Sequence, residues 1–150
     1  MSRKKKLRKL FERGTVLNPQ HLLGRNGSEA EWTVRMLTGP VLDLGFLRHR
    51  MRFRLEEGVS KKARRVLGCN VLREDSCWGN FVVWAGDSSA PTTIDHDVDG
   101  NGFSRRLFAE ICQTDYAFLI VGRLHVRLLG SEWFVGYFTL RRRGDRGRRR

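Results

Sequence analysis

Between residues 31 and 140 strand-like segments dominate, some alternating apolar and polar positions with a period of two and others running apolar and β-branched. Glu31 to Leu37 alternates until Gly39-Pro40 breaks it. Leu47 to Leu55 alternates more strictly. Leu47, Met51, Phe53 and Leu55, with His49 among them, point one way, and Arg48, Arg50, Arg52 and Arg54 point the other. Asn80 to Ala85 and Ala117 to Leu129 are apolar and β-branched enough to be strands, with Gly122 predicting a bend or bulge. Glu132 to Leu140 follows the two-residue turn Gly130-Ser131, so the last two strands are expected to form a hairpin.

Helical spacing is rarer. Ser104 can cap Arg105 to Gln113, where Leu107, Phe108 and Ile111 share a helical face. Val59 to Leu67 is a weaker helical stretch. Residues 2–13 could curl into a helix with Leu7, Leu10 and Phe11 on one side, marginal in water and expected to be ordered only by binding. Pro19, Gly24 and Asn26-Gly27 mark residues 14–27 as a connector. The expected fold is mainly β: an antiparallel β-sandwich, jelly-roll-like, with one or two short helices and basic disordered termini. The expected organisation is an N-terminal arm and connector (1–27), a sandwich domain (28–140) and an Arg-rich tail (141–150).

Charge changes this picture most. Of 29 Lys and Arg residues, seven lie between Arg3 and Arg13 and seven between Arg141 and Arg150, with Glu12 and Asp145 the only acids there. The span between them is close to neutral, although the whole chain carries +13. Two polycationic arms on a balanced body are the layout of a polyanion binder, because each neutralised phosphate releases counterions. The arms contribute Arg3, Lys4, Lys5, Lys6, Arg8 and Lys9 at one end, and Arg141, Arg142, Arg143, Arg146, Arg148, Arg149 and Arg150 at the other. The ladder Arg48, Arg50, Arg52 and Arg54 repeats about every 6.6–6.8 Å along one strand face, an approximate match to successive phosphates of a single strand. The same ladder serves equally as a strand face paired to carboxylates or as edge protection. Arg123, His125 and Arg127 repeat the pattern and would join the ladder in one basic face if the two strands lie on one sheet.

Asp95-His96-Asp97-Val98-Asp99-Gly100-Asn101 reads D-x-D-x-D-G-x, the front half of a calcium loop, with Asp95, Asp97, Asp99 and Asn101 as ligands. Arg106 stands where the bidentate Glu is required, so any Ca2+ bound there is expected to be weak. No other cofactor and no small-molecule substrate is expected. The chain has no G-x-S-x-G, P-loop or H-E-x-x-H, and its four histidines are scattered, which argues against an enzyme. Arg143-Gly144-Asp145 spells RGD in a tail rich enough in Arg for chance to supply it. Cys69, Cys77 and Cys112 are odd in number and predict reduced, mostly core-facing thiols. No apolar run approaches the roughly 18 residues of a membrane span, and no signal-peptide core follows the N-terminus, so a non-secreted chain without a transmembrane segment is expected.

The pieces "MSRKKKLRKLFERG", "FVVWAGDSSAPTTID", "SRRLFAEI", "YAFLIVGRLHVRLLG" and "EWFVGYFTL" together resemble small viral structural proteins, in particular single-jelly-roll coat proteins with a basic arm. "LDLGFLRHRMRFRLEEG" with "VLREDS" is faintly similar to the thirty-kilodalton class of plant-virus movement proteins and makes Asp75 the counterpart of its acidic position. The resemblance implies a virion or infected-cell cytoplasm location, a nuclear one following from the basic N-terminus. It also implies packaging of RNA or single-stranded DNA with self-association. The alternatives are a movement protein, a matrix protein on anionic membrane and ribonucleoprotein, a cellular RNA-binding protein, and a calcium-dependent interaction module.

Overall fold

The computed structural model describes residues 2–37, 50–58, 60, 64–71, 76–96 and 107–143. Eight antiparallel strands follow one another: β2 (Ala30–Met36), β3 (Arg50–Leu55), β4 (Val66–Val71), β5 (Cys77–Trp84), β6 (Thr92–His96), β7 (Leu107–Gln113), β8 (Leu119–Leu128) and β9 (Ser131–Arg142). Each pairs with the next, and β9 closes on β2 through Trp32↔Arg142 to Met36↔Phe138. The result is an up-and-down barrel. A short β1 (Thr15–Val16) adds to the end of β7. The antiparallel β class is as expected, but one closed sheet replaces the two packed sheets of a sandwich. Period-two alternation is identical in both, because it reports which face is dry and not which strands are neighbours.

Inward positions fill the barrel, as eight strands allow. Trp32, Met51, Phe53, Phe81, Ile94, Ile111, Ile120, Phe138 and Leu140 are fully buried there. Gly122 faces inward with Ile120 and Leu124, and the Phe138 ring lies across it, so no Cβ fits. The bulge predicted at Gly122 falls instead at Leu124/His125.

The connector closes one end. Asn18 caps a 3-10 turn over Pro19–Leu22, which delivers Leu17, Leu22 and Leu23 into the core. Trp32 Nε1 donates to the Leu22 carbonyl (2.9 Å), and the Arg142 guanidinium lies 4.6 Å from the Trp32 ring. Arg142 also donates to the carbonyls of Leu23 (3.1 Å) and His21 (2.6 Å), which ties the last strand to the connector.

Residues 107–113, expected to be helical, form β7. Leu107, Ala109 and Ile111 face the core. Phe108 and Cys112 on the other side are also buried, so Glu110 is the single polar residue between them and the segment shows little of a period of two. The cover over Cys112 is α1 (Arg3–Glu12). Leu7 and Phe11, four apart and therefore on one face, pack against Cys112, Val121 and Tyr137 on the barrel's outer wall. Ten residues are too few for a stable isolated helix, and this docking supplies what the sequence alone assigned to a binding partner. The basic N-terminus is thus a placed helix, not a disordered arm. At the weaker helical candidate, Val66 and Leu67 open β4.

Cys69 and Cys77 are disulfide-bonded across β4 and β5, their Cα atoms 5.6 Å apart. This corrects the expectation of three reduced thiols. Cys77 lies opposite Val71, two residues along β4 from Cys69, so the bridge runs diagonally across the hairpin beside the register shift at Gly68/Asn70, a proximity that an odd count conceals. Cys112 stays free and buried, and burial pushes its thiol up to about 12.

Candidate polyanion-binding surface

The basic residues divide into those mated to carboxylates and those that are not. On β3, Arg50 and Arg52 both clasp Glu31 of β2. Arg50 donates from Nε (3.2 Å) and Nη2 (2.7 Å), and Arg52 from Nη2 (3.0 Å). Register explains this. Glu31 lies directly opposite Arg52, with Arg50 two residues along the same face. Burial alone would raise the Glu31 carboxyl, but the hydrogen bonds and charges of Arg50 and Arg52 outweigh it and hold it below its ordinary value. Arg54 lines a cleft with Glu56, Glu57 and Arg64 at the end of β3. Arg48 lies outside the described residues.

The second set is mated in the same manner. Arg123 and His125 of β8 reach Glu110 of β7 at 2.8 and 2.7 Å, and Arg127 reaches Asp95 of β6 at 2.9 Å. The His125 hydrogen bond, opposed by burial and helped by the Arg123 charge, lowers the Glu110 carboxyl. Guanidiniums also lie on rings: Arg123 on Phe11 and Arg127 on Phe108, each 4.1 Å from the centroid. β3 and β8 do lie on one sheet, but because that sheet closes into a barrel the expected single basic face does not form. β3 and β8 are separated by β2 and β9 on one side and by four strands on the other, so they face different sides of the barrel.

α1 differs. Its sequence RKKKLRKLFE carries six cations, no acid in the first turn, and Glu12 only at its end. Ser2 caps it, its hydroxyl accepting from the Lys5 backbone N–H (3.2 Å). Arg3, Lys4, Lys5, Lys6, Arg8 and Lys9 are all exposed. Lys4 lies 5.3 Å from the Phe134 ring. Four cations in the first turn oppose the helix dipole and one another, so the helix is left with an electrostatic deficit that an anion would relieve.

In the tail, Arg141 lies 5.3 Å from the Phe118 ring, Arg142 is committed to the Trp32 latch, and Arg143 approaches Glu31 at 3.9 Å. Arg146, Arg148, Arg149 and Arg150 lie outside the described residues, as do Asp75, Asp97, Asp99 and Asn101. Asp95 sits in β6 with Arg127 on its carboxylate, and no group of acids, histidines and cysteines able to hold a metal occurs among the described residues. Among those residues, too, no helix is long and apolar enough to cross a membrane.

Sequence reasoning raised pairing of the ladder with carboxylates but did not find the partners Glu31, Glu110 and Asp95. A signal for Glu31 was present, since it is the one acid in the alternating stretch before the ladder, but register was needed to use it. It also missed the exposed side chains of the β8–β9 turn, Leu129 and Trp133. Comparison of this chain with protein-family models, with curated proteins and with solved structures finds no match in any of the three.

Proposed function

We propose that this chain is a non-enzymatic, largely sequence-nonspecific binder of single-stranded nucleic acid, with α1 as its phosphate-contacting element. The observation that supports this most is the contrast just described: six exposed cations on a docked helix, against Arg50, Arg52, Arg123 and Arg127 of the barrel, each held by a carboxylate. Phosphate contacts position a strand without reading its bases, so little sequence preference is expected. The tail adds to the same electrostatic term. A viral packaging role, the expectation carried from the resemblance, adds self-association to this reading, and it no longer draws support from a jelly-roll architecture.

The test is anisotropy with a labelled RNA oligomer across a salt series, comparing the full chain with a variant carrying Gln at Lys4, Lys5, Lys6, Arg8 and Lys9. For single strands each lost contact removes about 0.7 from the log–log salt slope. The variant should therefore bind about a hundredfold more weakly at low salt, with a slope shallower by up to about 3.5 and a thermal melt no lower than the parent's. Equal affinity and slope would remove α1 from the proposal. Light scattering in the same series separates packaging, in which particles grow with RNA and dissolve in salt, from binding without growth.

A further inference from the structure

The β8–β9 hairpin turns through Leu129 and Gly130, whose φ values are 50° and 79°. Two positive φ angles at the centre of a two-residue turn favour Asn-Gly or Asp-Gly, because a larger side chain on the left-handed backbone crowds its own carbonyl. Leucine is a poor choice for folding here. Its side chain gains nothing from packing either, being wholly in solvent at 105% relative exposure. Trp133 is 60% and Phe134 40% exposed, so one hairpin end presents three large apolar side chains. The contact of Lys4 with Phe134 sets the first turn of α1, with its exposed Arg3, Lys5 and Lys6, against this end.

We propose that the Leu129–Trp133 tip and the first turn of α1 form one insertion site for an anionic lipid surface. A strained residue kept where folding does not want it points to a use outside folding. Stacked bases would use the flat rings of Trp133 and Phe134 but gain little from an aliphatic apex. A bilayer uses all three side chains, with Leu129 entering the acyl boundary and Trp133 resting at headgroup depth. The adjoining cations select anionic headgroups over neutral ones. Neither signal suffices alone, since one inserted chain binds only marginally and a basic patch is screened by salt. The site shares α1 with the nucleic-acid reading but does not rest on it.

Co-sedimentation of the full chain with vesicles of phosphatidylcholine containing phosphatidylglycerol, against pure phosphatidylcholine, tests this with two variants. Leu129→Asn installs the residue the turn prefers, so its melting temperature should equal or exceed that of the parent. Trp133→Ser removes the ring from the partly solvated flank. The parent should bind the anionic vesicles only. Each variant should bind them at least about tenfold more weakly, while RNA affinity stays within about twofold. The proposal is overturned if the parent ignores anionic vesicles, or if Leu129→Asn binds them as tightly as the parent. It is also overturned if both variants lose RNA affinity to the same extent, which would make the tip a base-stacking platform. Loss of RNA binding by the parent at low salt would sink the nucleic-acid reading and leave this one standing.

Discussion

β3 and α1 are both dense in cations, and they differ in what faces them. On β3 the cations alternate along a strand, and the neighbouring strand puts Glu31 between Arg50 and Arg52. A sheet offers such partners because the next strand lies a fixed distance away in fixed register. On α1 the neighbouring wall packs against the apolar stripe of Leu7 and Phe11 and meets Lys4 with the Phe134 ring rather than with a carboxylate, and the six cations stay exposed. Equal charge in sequence therefore becomes unequal charge in space, and the helix is the better candidate for an external anion. The lesson is that a basic run should be counted only after its carboxylates have been placed.

The strongest way to break the comparison is to detach the helix. Phe11 sits beneath the Arg123 guanidinium, and its carbonyl accepts from Cys112 Sγ (3.4 Å). Phe11→Ala should cost about 2–3 kcal/mol at this satellite cluster, below the usual figure for a central aromatic. Because α1 packs on the barrel's outside, the loss should appear as local opening, with the barrel intact. Cys112 reports it: its thiol, held up at about 12 by burial, should become reactive to thiol reagents. Continued protection of Cys112 in Phe11→Ala would show that something besides the Leu7–Phe11 stripe holds the helix.

This also shows where the sequence was legible and where it was not. β2, β3, β5, β8 and β9 were readable in outline because alternation or apolar, β-branched runs marked them as strands. β7 was not, because α1 helps to bury its outer face at Cys112, Glu110 is the single polar residue between Phe108 and Cys112 there, and the apolar residues of both sides mimic helical spacing. The hydrophobic stripe of α1 was legible, but its docking site was not, since Cys112, Val121 and Tyr137 come from three strands. Barrel closure was invisible for the same kind of reason: the pairing of β9 with β2 joins residues a hundred apart. The charge asymmetry of the candidate site could be read from composition, whereas the sorting of its cations required the register of β2 against β3 and of β7 against β8.

A smaller effect sharpens the comparison from the other side, by making β3 resemble α1. Glu31→Gln keeps the shape of the side chain but leaves Arg50, Arg52 and the nearby Arg143 without the carboxylate that holds them together. Charge-assisted hydrogen bonds of this kind make the loss about 2 kcal/mol, readable as a lowered denaturation midpoint at constant slope. RNA affinity should rise modestly, by about two- to fivefold at low salt, because guanidiniums released from Glu31 become available to phosphates. Unchanged affinity would mean that the β3 face does not reach a bound strand even when its cations are released.

Acid should achieve the same release without mutation, and with the smallest effect. Glu110 accepts from His125 and Arg123, and its carboxyl titrates below its ordinary value. A carboxylate with a depressed folded-state pKa contributes stability that is complete above its unfolded-state value. That contribution is lost as the pH falls through the folded-state value. Stability should therefore hold at neutral pH and decline on acidification, beginning near the ordinary carboxylate range and finishing below it. Glu110→Gln should remove about 1–2 kcal/mol at neutral pH and flatten that acid limb, because the titrating partner is gone. The helix supplies the internal control. α1 has no carboxylate in its first turn, so the part of RNA binding that depends on it should not change across the same acid limb, whereas the part contributed by the β8 cations should grow as Glu110 takes up its proton. An acid limb in Glu110→Gln identical to the parent's would assign the decline to other carboxylates, Glu31 first among them, since it too titrates below its ordinary value.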